Sequence, residues 1–133
     1  MNPLSKKCCV AFAAISLTTM IPTQVEAQKL PTCKEYIDLA VKVGWQRKER
    51  VMLEKIMRRE SKCYRLAWNQ KDPWGGSYGL MQINGSNVGW ATRMGYISKR
   101  TDLFNPKKNL KVSLELWRLY GWRPWGTRSS LGK

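Results

Sequence analysis

The stretch IMRRESKCYRLAWNQKDPWGGSYGLMQIN, from Ile56 to Asn84, decides how this chain is read. Leu53, Ile56 and Met57 recur at helical spacing, and Glu60 takes the next place on the same face. A carboxylate on the buried side of a helix is costly unless it is paired or protonated, which makes Glu60 a candidate general acid. The position equally suits a Glu that turns outward at a fraying helix end, or one that pairs with Arg58, Arg59 or Lys62. Spacing alone favours that second reading. After the helix, Cys63 to Tyr78 reads as a long loop, because Asn69, Asp72, Pro73, Gly75 and Gly76 are turn formers. The apolar run Leu80 to Ile83 reads as a buried helical turn rather than a strand.

Working outward, Pro31-Thr32 leads into a helix with Thr32 and Glu35 spaced as a capping box. Tyr36, Ile37, Ala40 and Val41 form its apolar stripe, and Gly44 is its expected stop. The Glu60 helix spans about Arg47 to Ser61, and Arg47, Lys48, Arg50 and Arg58 give it a solvated outer face. A short helix is expected at Asn87 to Met94. Asn105-Pro106 starts another, which runs to about Tyr120 with Leu110, Leu114, Trp117 and Tyr120 inward and Gly121 as its end. The pattern is that of a small, mainly α domain with a long loop facing the end of the Glu60 helix.

The N-terminus reads as a secretory leader. Lys6 and Lys7 precede an apolar stretch, Val10 to Ile21, that is short for a membrane span. Val25-Glu26-Ala27 resembles a cleavage site, so residues 1–27 are expected to be removed and 28–133 to form one domain outside the cytoplasm. An uncleaved anchor is the alternative. Cys8 and Cys9 would leave with the leader. Cys33 and Cys63 remain, and an exported chain with an even count suggests one disulfide, with two free buried thiols as the other reading. Such a bridge contributes about 3.5 kcal/mol in the chain-entropy treatment.

The chain carries 24 Lys+Arg against 9 Asp+Glu, a formal net charge of +15. A field of this sign concentrates polyanions such as cell-wall polymers, anionic headgroups or nucleic acid. Histidine is absent, which excludes Ser-His and Cys-His catalysis and a zinc site of the usual Cys/His kind. No glycine-rich phosphate motif is present, so no cofactor and no metal is expected.

Three elements in order carry a family resemblance: Glu60-Ser61; Ala67-Trp68-Asn69; and Ser77-Tyr78-Gly79-Leu80-Met81-Gln82. A fourth follows in Asp102-Leu103-Phe104-Asn105-Pro106 with Asn109-Leu110. From about Val51 to Trp117 the chain resembles the catalytic domain of soluble lytic transglycosylases, the SLT domain of the lysozyme-like superfamily. The resemblance implies a lysozyme-like helical fold and cleavage of the β-1,4 bond from N-acetylmuramic acid to N-acetylglucosamine in peptidoglycan. In that family one Glu protonates the glycosidic oxygen. As carboxylate it then takes the proton of the muramyl 6-hydroxyl, which closes to a 1,6-anhydro product. An internal hydroxyl nucleophile removes the need for a second carboxylate to activate water.

By the same resemblance Glu60 is the acid/base and Ser77 faces the catalytic centre. Gln82 and Asn109 hold the substrate or the Glu60 region, Tyr78 and Asn69 stand with them in the motifs, and Gly79 allows close backbone approach. Ser77 also suits a helix cap, Gln82 a buried amide bonded to backbone, and Asn109 a solvated helix residue. Near the C-terminus the family carries a Tyr-Asn-Ala-Gly-like segment. Here it is Leu119-Tyr120-Gly121-Trp122-Arg123-Pro124-Trp125, so Tyr120 is the candidate for the family tyrosine, and Ser113 stands where a Gly is usual. Trp68 and Trp74 are the tryptophans placed to stack on sugar rings. Trp45, Trp90, Trp117, Trp122 and Trp125 read as core.

Two rival functions stand beside this one. A lysozyme-type muramidase would hydrolyse the same bond with Asp72 as second carboxylate, although Asp72 before Pro73 also reads as a turn former. A non-catalytic cationic protein would bind wall, membrane or nucleic acid through charge alone. The expected partners are peptidoglycan strands and other anionic wall polymers. No specific nucleic acid, no lasting membrane span and no second subunit are expected.

Overall fold

The computed structural model describes residues 32–126; the expected leader at 1–27, with Cys8 and Cys9, and the end of the basic tail at 127–133 lie outside the described residues. Helix α1 (Cys33–Val43) buries Tyr36, Ile37 and Ala40, with Val41 at the edge of the stripe. It stops at Gly44, whose φ of 116° lets its amide reach back to the carbonyls of Ala40 and Val41. The Thr32–Glu35 capping box is corrected: the Thr32 side chain caps nothing, and only its carbonyl takes the Glu35 amide, at 3.1 Å. The helix start is anchored instead by Cys33.

A 3-10 turn, Arg47–Glu49, runs into helix α2 (Arg50–Ser61), which buries Leu53, Ile56 and Met57. Two non-glycine residues in left-handed conformation close it, Lys62 (φ 53°) and Cys63 (φ 61°). Their amides return to the carbonyls of Arg58 and Met57 at 3.1 and 3.3 Å. Such conformations cost about 1–2 kcal/mol per residue, so other contacts must hold this end. One is the Cys33–Cys63 disulfide, with Cα atoms 5.3 Å apart, which resolves the choice between bridge and free thiols.

The region read as loop and helical turn contains a three-stranded antiparallel sheet in the order β1-β2-β3. Its strands are β1 (Trp68–Asn69), β2 (Ser77–Tyr78) and β3 (Ile83–Asn84). Ser77 pairs with Asn69 on one side and Asn84 on the other; Tyr78 pairs with Trp68 and Ile83. The expectation of a helical turn at Leu80–Ile83 is therefore corrected. Gly79 and Gln82 have φ of 72° and 47°, and the Gln82 amide bonds the Gly79 carbonyl at 3.1 Å, closing a reverse turn between β2 and β3. The unbroken apolar run reflects a turn buried in the core, with Leu80 and Met81 0 % exposed, and not a helix.

A 3-10 turn at Gly85–Asn87 leads into helix α3 (Val88–Arg93), and another at Arg100–Phe104 precedes helix α4 (Pro106–Tyr120). Asn105 caps α4 by accepting the Lys108 amide at 3.1 Å, and Pro106 occupies the first turn, where its missing N–H costs nothing. Helix α4 packs on α1 and buries Leu110, Val112, Ser113, Leu114 and Leu116. Trp45 donates its indole N–H to the Leu110 carbonyl at 3.0 Å and packs its ring on Trp117 and Trp122. That cluster covers the Trp117 side of α4. Tyr120 falls outside it and is exposed, which corrects the expectation that it points inward. Among the described residues no helix is long and apolar enough to cross a membrane.

Candidate active site

Glu60 sits in the last turn of α2, with its side chain 24 % exposed, between the buried stripe and solvent. Its Oε1 accepts two hydrogen bonds from Arg59, from Nε at 2.9 Å and Nη2 at 2.6 Å. Among the described residues Oε2 takes none. Both readings of this position therefore hold in part: the carboxyl is withdrawn from full solvent, and it is paired to Arg59. The same Nη2 donates to the backbone carbonyl of Trp125, in the 3-10 turn Arg123–Trp125. The Trp125 indole in turn donates to the Met81 carbonyl at 2.8 Å. The end of α2 is thus tied through Trp125 to the turn between β2 and β3.

The motif residues of the hairpin prove to be largely internal. Ser77 is 3 % exposed, and its Oγ accepts from Asn84 Nδ2 at 3.3 Å. Tyr78 is enclosed between Trp68, Phe104 and Arg100, and its hydroxyl donates to the Gly75 carbonyl. Gly79 is required by packing as well as by its positive φ, since a Cβ there would overlap the Leu103 carbonyl and the Asn109 amide. Gln82 donates to the carbonyls of Ala67 (3.1 Å) and Gly79 (2.9 Å), so its amide clamps backbone.

Asn109 is neither a solvated helix residue nor open to a ligand, being 0 % exposed. Its Nδ2 donates to the carbonyls of Tyr78 and Leu103, both at 2.9 Å, and its Oδ1 accepts the Met81 amide at 3.0 Å. One side chain thereby joins α4 to both limbs of the β2–β3 turn. The adjoining Asp102 is similarly fixed. The Ser98 amide and then the Lys108 ammonium hold its carboxyl down at about 2.

In the loop between β1 and β2, Asn69 donates to Asp72 Oδ1 at 2.8 Å and accepts the Lys71 amide at 3.2 Å, so both acid and amide serve the turn. Trp68 and Trp74 are exposed, by 50 % and 73 %, the latter the most open tryptophan of the described residues. A cavity of about 60 Å³ lies beside Trp125, lined by Gln82, Ile83, Asn84, Asn87, Leu116, Pro124 and Trp125. A larger cleft of about 330 Å³, lined by Asp38, Val41, Lys42, Arg47 and Arg50, lies at the far end of α2 from Glu60, and another of about 400 Å³ is lined by Gly95, Tyr96, Lys107, Lys108 and Lys111. Neither of these larger clefts is lined by Glu60. Arg59 is one of the three cations expected beside Glu60; Trp125 does more than the core role expected of it, and Asn84 is a residue the sequence did not single out. The only available signals were the adjacency of Arg59 and the place of Asn84 at the end of the motif stretch.

Searches of curated proteins and of solved structures return no match. The sequence profile of the family described as "Transglycosylase SLT domain" matches residues 43–121, more than half the chain. The matched span covers α2, the whole sheet, α3 and α4, and it holds Glu60, Ser77 to Gln82 and Asn109. This protein belongs to the SLT transglycosylase domain family, a lysozyme-like group of peptidoglycan glycosidases of the lytic transglycosylase type.

Proposed function

We propose that this protein is a peptidoglycan lytic transglycosylase in which Glu60 is the sole acid/base. The observation that carries the reading is the Glu60 carboxyl, withdrawn at the end of α2 with Oε1 held by Arg59 and Oε2 open. Protonated on Oε2, it donates to the glycosidic oxygen between N-acetylmuramic acid and N-acetylglucosamine as the C1–O bond breaks. The resulting carboxylate accepts the proton of the muramyl 6-hydroxyl, whose oxygen bonds to C1 and leaves a 1,6-anhydro end. One group in two protonation states serves both steps. The second carboxylate that hydrolysis would use, Asp72, is bonded to Asn69 within the loop between β1 and β2, and no contact joins it to Glu60 among the described residues.

Trp68 and Trp74 offer exposed aromatic surface for stacking on the sugar rings. Ser77, Tyr78, Gly79, Gln82 and Asn109 support the site by shaping the hairpin, and the basic surface draws the protein to anionic wall polymers. The domain at 28–133 acts outside the cytoplasm after removal of residues 1–27. Mass analysis of peptidoglycan digests tests the reaction. Products lighter by one water than the hydrolytic ones are expected, and Glu60→Gln abolishes them. Reducing-end products would instead identify a muramidase, and full activity of Glu60→Gln would remove Glu60 from the chemistry.

A further inference from the structure

We infer that Arg59 is a positioning residue for Glu60, held in place by the backbone of the C-terminal Arg123–Trp125 turn; this rests on the reading of Glu60 as the acid/base. The family match ends at residue 121, and Trp125 lies beyond it. The chain departs here from the Tyr-Asn-Ala-Gly-like pattern, and Tyr120, the residue nearest to that pattern, faces solvent. The turn nevertheless reaches the site, through the Trp125 carbonyl that accepts from Arg59 Nη2.

The geometry explains what each part does. Adjacent residues on a helix do not face each other, so Arg59 bonds Glu60 only if its side chain is folded back along the helix end. The guanidinium is a planar fork. With Nε and Nη2 both on Oε1, the carboxyl group is fixed in orientation and Oε2 is left for substrate. The second acceptor of Nη2, the Trp125 carbonyl, keeps the fork from swinging into solvent, where the Arg59 side chain is already 48 % exposed. Trp125 cannot follow Arg59 outward, because its indole is bonded to Met81 and its ring is buried against Trp122. The chain of contacts runs from the β2–β3 turn to Trp125, to Arg59, to Glu60. A lysine has no second prong to span both acceptors, so charge alone does not replace Arg59.

The test uses steady-state kinetics on a soluble glycan substrate with Arg59→Met, Arg59→Lys and Trp125→Phe, and with Glu60→Gln as control. Misplacement of a reacting group by about 1 Å costs on the order of 100-fold, so Arg59→Met is expected to lose about 10- to 100-fold in kcat with little change in KM. Arg59→Lys recovers only part of this. Trp125→Phe, which keeps the carbonyl but frees the indole end, loses less than Arg59→Met. Millimolar guanidinium added to Arg59→Met restores part of kcat, a response that a purely structural role would not give. The exposed position of Arg59 leaves the folded state accessible in all variants, checked by thermal unfolding. Wild-type kcat in Arg59→Met, or a loss confined to KM, overturns the inference while an inactive Glu60→Gln leaves the catalytic assignment standing. An active Glu60→Gln overturns both.

Discussion

Replacing Asn109 by Leu asks what holds the β2–β3 turn against α4. The side chain is 0 % exposed and makes three hydrogen bonds, to the carbonyls of Tyr78 and Leu103 and from the amide of Met81. Leucine has similar bulk and none of these partners, so the change leaves two carbonyls and one amide buried without the bonds that Asn109 supplies. Each orphaned group costs about 1–3 kcal/mol, so the loss is at least about 3 kcal/mol. A domain of this size has roughly 5–15 kcal/mol in total, which makes the effect a large fraction of its stability. Urea unfolding followed by tryptophan fluorescence measures it. Asn109→Asp keeps the acceptor for Met81 but places oxygen against two carbonyls, and should fall on the same side. A loss under about 1 kcal/mol for Leu, or a rise in KM with unchanged stability, would refute the reasoning and return Asn109 to substrate contact.

Changing Cys33 and Cys63 together to Ser should cost about 3.5 kcal/mol, read as a lower urea midpoint that reductant no longer shifts, since the closed loop spans a sequence separation of 30. Asp102 is held at about 2 by the Ser98 amide and Lys108, below the ordinary carboxylate value of about 3.9. Its contribution is therefore complete above about pH 4 and lost as pH falls through about 2; Asp102→Asn should flatten acid unfolding across that window, measured by circular dichroism. Trp74→Ala removes an open ring with no core role, so KM for glycan should rise several-fold while Tm stays within about 1 °C.

The helices were legible because their causes are local. Tyr36, Ile37 and Ala40 repeat at helical spacing, Gly44 supplies the left-handed stop, and Asn105-Pro106 caps and starts α4. The sheet was not, because strands of two residues carry no period and exist only through pairing with distant partners. Leu80 to Ile83 shows the ambiguity directly: a turn buried on all sides has the composition of a buried helix. Glu60 was legible as a candidate from its place on the stripe and from the motifs after it. Its pairing was narrowed to three cations, and only the fold selects Arg59. Asn109 was found for a different reason from the one that holds it: the motif marks the residue, but the carbonyls it serves are brought to it from other elements. Tyr120 continues the periodicity of α4 past the point where other elements cover the helix.

The bonds around the site span long stretches of chain: Asn109 to Met81, Trp125 to Met81 and Arg59 to Trp125 are separated by 28, 44 and 66 residues. Every one of them waits for the C-terminal third. A chain that emerges N-terminus first can form α1 and α2 early, yet it holds no assembled site until α4 and the turn after it have arrived. The turn after α4 completes the surroundings of Glu60, so a chain cut short before it carries the acid without its setting.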